Sequence, residues 1–170
     1  MTATTTTDES AAAEPATAGP QSRGDLRLAC EVAKIADGFK ARNTVVLDMR
    51  SSTPLFDFFV VCTGGNRRQM HAIAEDVDDM MADQGSKRLS LEGYRESIWI
   101  LQDYGDIVLH VFEAEARELY DLEGLWAEAK PVDWRAELGL PPEEESLGLT
   151  EDSADEASAP DESESPSEEE

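Results

Sequence analysis

The chain has 170 residues, with 14 lysines and arginines against 38 aspartates and glutamates, which gives a formal net charge of −24. No run approaches the roughly 20 consecutive apolar residues of a membrane-spanning helix, the first residues lack the basic and apolar regions of a secretory signal, and so acidic a chain would be repelled by phosphates. We therefore predict a cytoplasmic protein that binds neither a membrane nor free DNA.

Charge and composition divide the chain into three parts. Residues 1–23 are rich in Thr, Ala and Pro, and residues 136–170 hold 14 acidic residues and no basic one. Neither part has enough large apolar side chains to offset chain entropy, so both are predicted to be disordered tails. The acidic tail could be an electrostatic decoy or a solvated extension, and the second interpretation is favoured. One domain is predicted at residues 24–135.

In the middle part, segments whose apolar residues recur with the helical period alternate with segments typical of strands. Their order predicts an α/β domain built on a single mixed five-stranded sheet flanked by about three helices. Asp25 is expected to cap the first helix or to complement its dipole. The predicted elements are a helix at 25–40, strands at 44–49 and 57–63, a helix ending near 84, strands at 88–92, 97–102 and 107–112, and a helix at 113–125.

No complete catalytic constellation is present. The two histidines have no G-x-S-x-G nucleophile beside them. His110 lies in an apolar strand and is interpreted as structural, whereas His71 lies on a polar helix face and is interpreted as solvated. Cys30 and Cys62 lie in apolar surroundings and are predicted to be buried thiols, without the spacing of zinc ligands.

The charged residues of the second helix also have ordinary interpretations. Asp76, Asp79 and Asp83 share a face opposite the apolar stripe, which is typical of a solvated surface. The turn at 63–66 precedes two arginines at the helix start, but it lacks the Lys-Ser/Thr of a phosphate-binding loop and is a weak anion site. We predict no catalytic residue, no cofactor and no bound metal.

Several segments together carry a resemblance to a known family. GDIVLHVF at residues 105–112 is followed by RELYDLEGLW at 117–126, and LDM at 47–49, DFFVVCTG at 57–64 and WILQDYGD at 99–106 precede or overlap them in the expected order. Over roughly residues 26–128 the chain resembles the ribosomal silencing factor family, RsfS, also called Iojap-like. Both tails lie outside this resemblance.

The resemblance implies a fold and a function. The fold would have nucleotidyltransferase-like topology without the metal-binding carboxylates of that superfamily. The protein would be no enzyme: it would bind the large ribosomal subunit at its protein fourteen, block association with the small subunit, and repress translation when nutrients are short. A homodimer off the ribosome is an open alternative.

The resemblance and the strand pattern together predict the partner-binding residues. Side chains alternate faces along a strand, so if Ile98 and Ile100 face the helices, the residues between and after them face a second, open side. Aromatic side chains are common interface anchors, although packing in the core is the alternative. Trp126 is predicted to pack in the core, and Trp134 has no assignment. The predicted partner-binding residues are Trp99 and Tyr120, with Leu122 and Leu101 beside them, and Arg117 and Glu123 as the polar rim.

Two other functions stay open. A large-subunit assembly factor would use the same interface. A nucleotidyltransferase-like enzyme would use Asp48 and Asp57 with Mg²⁺, although no D-x-D motif occurs on either strand.

Overall fold

The structure of the protein is a computed structural model that describes residues 25–142. Residues 1–23 and 143–170, which belong to the predicted disordered tails, lie outside the described residues. Within residues 25–142, no helix combines the length and the apolar composition that crossing a membrane requires. The described elements, in chain order, are α1 (Leu26–Gly38), β1 (Arg42–Asp48), β2 (Phe58–Thr63), α2 (Arg67–Asp83), β3 (Ser90–Glu92), β4 (Trp99–Asp103), β5 (Ile107–Phe112), α3 (Ala114–Tyr120), α4 (Leu122–Leu125), β6 (Lys130–Val132) and α5 (Trp134–Glu137).

The strands form one mixed sheet in the order β3-β4-β5-β2-β1-β6. β2 and β5 pair in parallel at its centre, and the other neighbours pair antiparallel. The prediction of a single mixed sheet is confirmed, but the predicted number of five strands is wrong. The sixth strand, β6, has only three residues and contains Pro131, which is tolerated at a sheet edge and conceals the strand in the sequence.

Helices α1 and α2 cover the first face of the sheet. Asp25 caps α1 as predicted, because its carboxylate accepts a hydrogen bond from the Arg27 backbone N–H at 2.9 Å. Asn66 caps α2 in the same way through the Gln69 N–H. Their apolar stripes meet the inward residues of the strands. The buried helix residues on this face are Ala29, Cys30, Val32, Ala33 and Ala36 of α1 and Met70, Ile73, Ala74, Val77 and Met81 of α2.

The second face is covered by the segment that follows β5, and this segment is not the single helix predicted at 113–125. Asp121 takes a left-handed conformation with φ 40° and divides it into α3 and α4. The Asp121 carboxylate accepts from the Gly124 N–H at 3.1 Å and so caps α4. Because of this break, Leu122 packs against the sheet, whereas Leu119 is 80% exposed.

The start of β4 also differs from the prediction. Ile100 is buried against the helices as expected, but Ile98 lies before the strand and is 47% exposed. The connection before it is a tight turn in which the Ser97 N–H donates to the Gly93 carbonyl at 2.9 Å, with positive φ at both Gly93 and Ser97. Strand alternation therefore begins only at Trp99.

α5 spans the domain boundary predicted at residue 135. Trp134 is buried, and its indole N–H donates to the Thr44 carbonyl at 3.2 Å. The Arg135 guanidinium donates to the Asp37 carboxylate at 2.7 Å and so ties α5 to the end of α1. Trp134, which had no assignment from sequence, is therefore a core residue.

Replacement of Gly93 by alanine tests the turn that positions β4. A Cβ at Gly93 would lie 1.8 Å from the Trp99 carbonyl oxygen, and φ is +67°. Gly85→Ala is a matched control, because φ is +78° there but no atom lies within 4 Å of the added Cβ. We expect Gly85→Ala to cost about 1–2 kcal/mol from the left-handed backbone alone, and Gly93→Ala to cost clearly more in urea unfolding. Equal losses would contradict the proposed backbone clash.

Candidate functional site: an aromatic patch on the second sheet face

Two aromatic side chains from different elements meet where the second face is least covered. The ring centroids of Trp99 on β4 and Tyr120 at the end of α3 are 5.0 Å apart. Trp99 also stacks on Phe112 of β5, with centroids 4.8 Å apart and the ring planes 22° apart. Trp99 and Leu101 are half-buried, and Tyr120 is 52% exposed. We call Trp99, Leu101 and Tyr120 the aromatic patch.

The Trp99 indole is held from below by His110. Its Nε1–H donates to His110 Nδ1 at 3.2 Å, so the imidazole proton lies on Nε2. His110 is buried, and desolvation lowers its pKa to about 3, so it is neutral near pH 7 and Nδ1 stays an acceptor. Nε2 has no hydrogen-bond partner among the described residues, and the Phe59 ring lies beside the imidazole in an edge contact at 4.8 Å.

The position of Tyr120 is fixed by side-chain contacts that anchor its helix, α3, to the neighbouring elements. The Arg117 guanidinium forms an ion pair with Glu123 and donates to the Asn43 carbonyl at 2.7 Å and to the Thr63 hydroxyl at 2.9 Å. Its side chain is only 12% exposed. One guanidinium thus joins α3 to α4, β1 and β2, and this network fixes the angle at which the end of α3 meets Trp99.

The structure brings some of the predicted residues together and separates others. Trp99, Leu101 and Tyr120 share one surface. Leu122 is 7% exposed and packs beneath α4, and Arg117 and Glu123 bond to each other inside the network above. Trp126 packs at the second face, as predicted.

Three residues relevant to this surface were missed by sequence reasoning. The link between His110 and Trp99 follows from the register of β4 and β5, which sets Leu101 opposite His110, and no single-strand pattern reveals it. Leu119 and Leu125 are 80% and 73% exposed on the α3–α4 segment. Their exposure depends on the helix break at Asp121, for which the sequence offers only the later Gly124.

The surroundings of the patch are acidic. The segment from β5 to the end of α4 has a single basic residue, Arg117, and that residue is engaged in the internal network. An apolar centre with a negatively charged border is complementary to a basic protein surface. The acidic residues of this segment are Glu113, Glu115, Glu118, Asp121 and Glu123.

His71, Cys30 and Cys62 lie outside the aromatic patch, and their surroundings are those of residues with a structural role. The prediction that His71 is solvated is wrong: it is half-buried, its ring stacks on Tyr94 at 3.9 Å, and its Nε2 lies 2.8 Å from both the Tyr94 carbonyl and the Ser97 hydroxyl. Cys30 and Cys62 are free and buried, as predicted. Burial raises the pKa of Cys30 to about 11 and that of Cys62 to about 12, so both thiols are poor nucleophiles.

The candidate carboxylates do not form a metal centre. Asp48 accepts two hydrogen bonds from the Arg50 side chain, at 2.6 and 2.9 Å, and this partner lowers the pKa of its carboxyl. Asp76, Asp79 and Asp83 are exposed on α2. In the part of the chain that the structure describes, no three His, Cys, Asp or Glu side chains are grouped so that they could hold a metal ion.

A fixed, half-exposed aromatic patch with an acidic border has the composition of a protein-contact surface. The model of the family described as "Ribosomal silencing factor during starvation" (RsfS) matches residues 22–169, and the chain belongs to this family. The resemblance found in the sequence is therefore confirmed, but the expectation that the C-terminal tail lies outside it is wrong, because the match extends to residue 169.

Individual relatives agree with this assignment. The ribosomal silencing factor RsfS of Halalkalibacterium halodurans is 39% identical over 97 residues, which cover 57% of this chain and 83% of that protein. The crystal structure of protein CV0518 from Chromobacterium violaceum is similar with a TM-score of 0.57 and 31% identity, over 64% of this chain and 91% of that chain. The mouse protein "Mitochondrial assembly of ribosomal large subunit protein 1" is 29% identical over 119 residues, 67% of this chain and 52% of that protein.

The bond between Trp99 and His110 can be tested by NMR of the indole N–H groups. We expect His110→Phe to remove the acceptor and shift the Trp99 Nε1–H resonance strongly, with faster exchange with solvent. His110→Asn keeps an acceptor near the Nδ1 position and should restore part of the shift. The Trp134 indole, bonded to the Thr44 carbonyl, is an internal control and should not move. An unchanged Trp99 resonance in His110→Phe would contradict the assignment.

The buried neutral state of His110 predicts a pH dependence of stability. The pKa is lowered from 6.5 to about 3 in the folded protein, so below pH 6.5 the unfolded chain binds a proton that the folded chain does not. Its contribution to stability is complete above pH 6.5 and is lost as the pH falls towards 3. Between about pH 7.5 and pH 5, the wild type should lose about 2 kcal/mol more than His110→Asn in urea unfolding. Equal losses would show that His110 is not buried in the neutral form.

Proposed function

We propose that this protein is a ribosomal silencing factor that acts in the cytoplasm. It binds the large ribosomal subunit through the aromatic patch and prevents association with the small subunit, and so represses translation when nutrients are limiting. The observation that carries the proposal is the Trp99–Tyr120 pair, which is accessible yet fixed by His110, Phe112 and the Arg117 network. The family to which the chain belongs supplies the ribosome as the target.

Rigidity of the patch supports a role in binding. Large aromatic side chains bury much area, and a side chain that is already ordered loses little entropy when a partner covers it. Trp99 has its indole N–H bonded and its ring stacked before any partner arrives. In this proposal Trp99, Tyr120 and Leu101 contact the partner, while Leu122, Arg117 and Glu123 hold the surface in shape.

Charge supports a basic protein as the direct partner. The border of the patch repels RNA phosphates but attracts a basic protein surface, with association that is faster at low salt. The proposed partner is protein fourteen of the large subunit, which the family resemblance implies. A contact of ordinary size, about 800 Å² on each side, is sufficient to obstruct a joining surface without any chemical step. The proposal is therefore of a regulatory protein, not an enzyme.

Three alternatives differ in what supports them. The name of the mouse relative favours a role in assembly of the large subunit, which would use the same patch. A homodimer through this patch in the free protein would be replaced by the ribosome on binding. An enzyme with nucleotidyltransferase-like topology is disfavoured, because Asp48 is already paired with Arg50. Accumulation of precursor large subunits in growing cells without the protein would favour assembly over silencing.

Sedimentation with purified ribosomal subunits tests the proposed site. Wild-type protein should migrate with large subunits and reduce the amount of joined ribosome. Trp99→Ala and Tyr120→Ala should each weaken binding about 10- to 100-fold, as expected for interface anchors, with little change in the melting curve for Tyr120→Ala.

Leu55→Ala is the matched control, because Leu55 is a 73% exposed apolar residue on the β1–β2 connection, outside the patch. It should bind like the wild type. Wild-type protein that stays at the top of the gradient would contradict the function, whereas normal binding by both patch variants would contradict the site alone.

A further inference from the structure

Four exposed basic side chains lie at the end of the sheet where β1 begins, β2 ends and α2 starts. The Gln69 side chain donates to the Phe39 carbonyl at 2.6 Å, so the first turn of α2 lies against the end of α1. Arg42 at the start of β1 pairs with Thr63 at the end of β2, just before α2 begins. We call this surface the basic end. It consists of Lys40, Arg42, Arg67 and Arg68, all exposed.

The basic end has no internal counter-charge within ion-pair distance. Six of the 13 basic residues in the described part of the chain have a carboxylate within 4.0 Å. Among the described residues these four have none, and neither do Lys87, Arg95 and Lys130, which lie apart from them in the sequence. Glu96, Glu113 and Glu115 line the same shallow cavity as Arg42 and Arg67 without reaching either of them. Within residues 25–142, these four exposed cations therefore have no ion-pair partner, although residues 25–135 hold 21 acidic against 13 basic residues, a net charge of −8.

The described chain ends beside this surface. Arg135 donates to Asp37 near the end of α1 and to the Pro141 carbonyl at 3.4 Å. The Asp37 carbonyl in turn accepts from the Lys40 backbone N–H at 2.8 Å. The residues after Pro142 therefore start within a few residues of the basic end.

The segment that follows has the complementary charge. Residues 143–170 hold 13 acidic residues and no Lys, Arg or His. Their 28 residues can reach up to about 90 Å, so the basic end lies well within range. A tether of this length gives a local concentration of order millimolar, at which weak ionic contacts are populated.

We propose that residues 143–170 bind the basic end of their own domain through charge. The segment acts as an internal counter-ion, which occupies the four cations and excludes external polyanions such as RNA phosphates from this surface. This favours the decoy interpretation of the acidic tail over the solvated extension. The proposal does not depend on the silencing function, because none of the four basic residues belongs to the aromatic patch.

Paramagnetic relaxation in the full chain tests this proposal. A spin label is attached at Ser158→Cys, and Cys30 and Cys62 stay unlabelled because both are buried. At about 0.02 M salt, the amide signals of residues 40–42 and 65–69 should lose at least about half their intensity, and at about 0.5 M salt they should recover, because screening weakens the attraction.

Two variants make the test specific. Arg67→Ala/Arg68→Ala should abolish most of the broadening at low salt. Lys130→Ala should leave it unchanged, because Lys130 is an exposed base on β6, where its backbone pairs with that of Asp48 at the opposite end of β1 from Arg42. Absent or evenly spread broadening at low salt, or full broadening in the double arginine variant, would overturn the proposal.

Discussion

The parallel pair of β2 and β5 at the centre of the sheet is the constraint on which the rest of the domain depends. All six residues of each strand are buried, so both faces of this pair must be covered. α1 and α2 cover the first face. The short α3–α4 segment covers the second face over β2 and β5 but leaves β4 partly open. The aromatic patch therefore lies where the α3–α4 segment, which buries β2 and β5 on the second face, ends.

The contacts that hold the α3–α4 segment on the sheet explain why the partly open surface at β4 has a defined shape. A segment with so few buried side chains of its own depends on polar contacts, and Arg117 supplies them to β1, β2 and α4 at once. His110 has a similar role beneath Trp99. Arg117 and His110 are both mostly buried, and each fixes the position of a more exposed aromatic residue. Arg117 fixes Tyr120 through α3, and His110 fixes Trp99. Order at the patch therefore comes from inside the domain, before any partner is present.

Sequence reasoning located most of the fold because its main signals are local. Periodicity identified α1, α2 and the central strands, and strand alternation placed Trp99 and Leu101 on the second face. It failed where a single backbone conformation or a distant contact decides the outcome. The left-handed Asp121 ends α3, so that Leu119 is exposed while Leu122 packs against the sheet. β6 and α5 are too short for periodicity, and the partners of His71 lie 23 to 26 residues away.

The arrangement of charge follows from the same architecture. The second face is acidic around an apolar centre, whereas the end of α1 and the start of α2 carry exposed cations. The two kinds of charge meet where Arg42 and Arg67 line a cavity with Glu113 and Glu115. An acidic tail on such a domain is repelled from the border of the patch and attracted to the basic end. Net charge alone would suggest uniform repulsion of anions. The distribution instead places exposed cations beside carboxylates at one end of the sheet, so that local charge rather than net charge decides which partner each surface attracts.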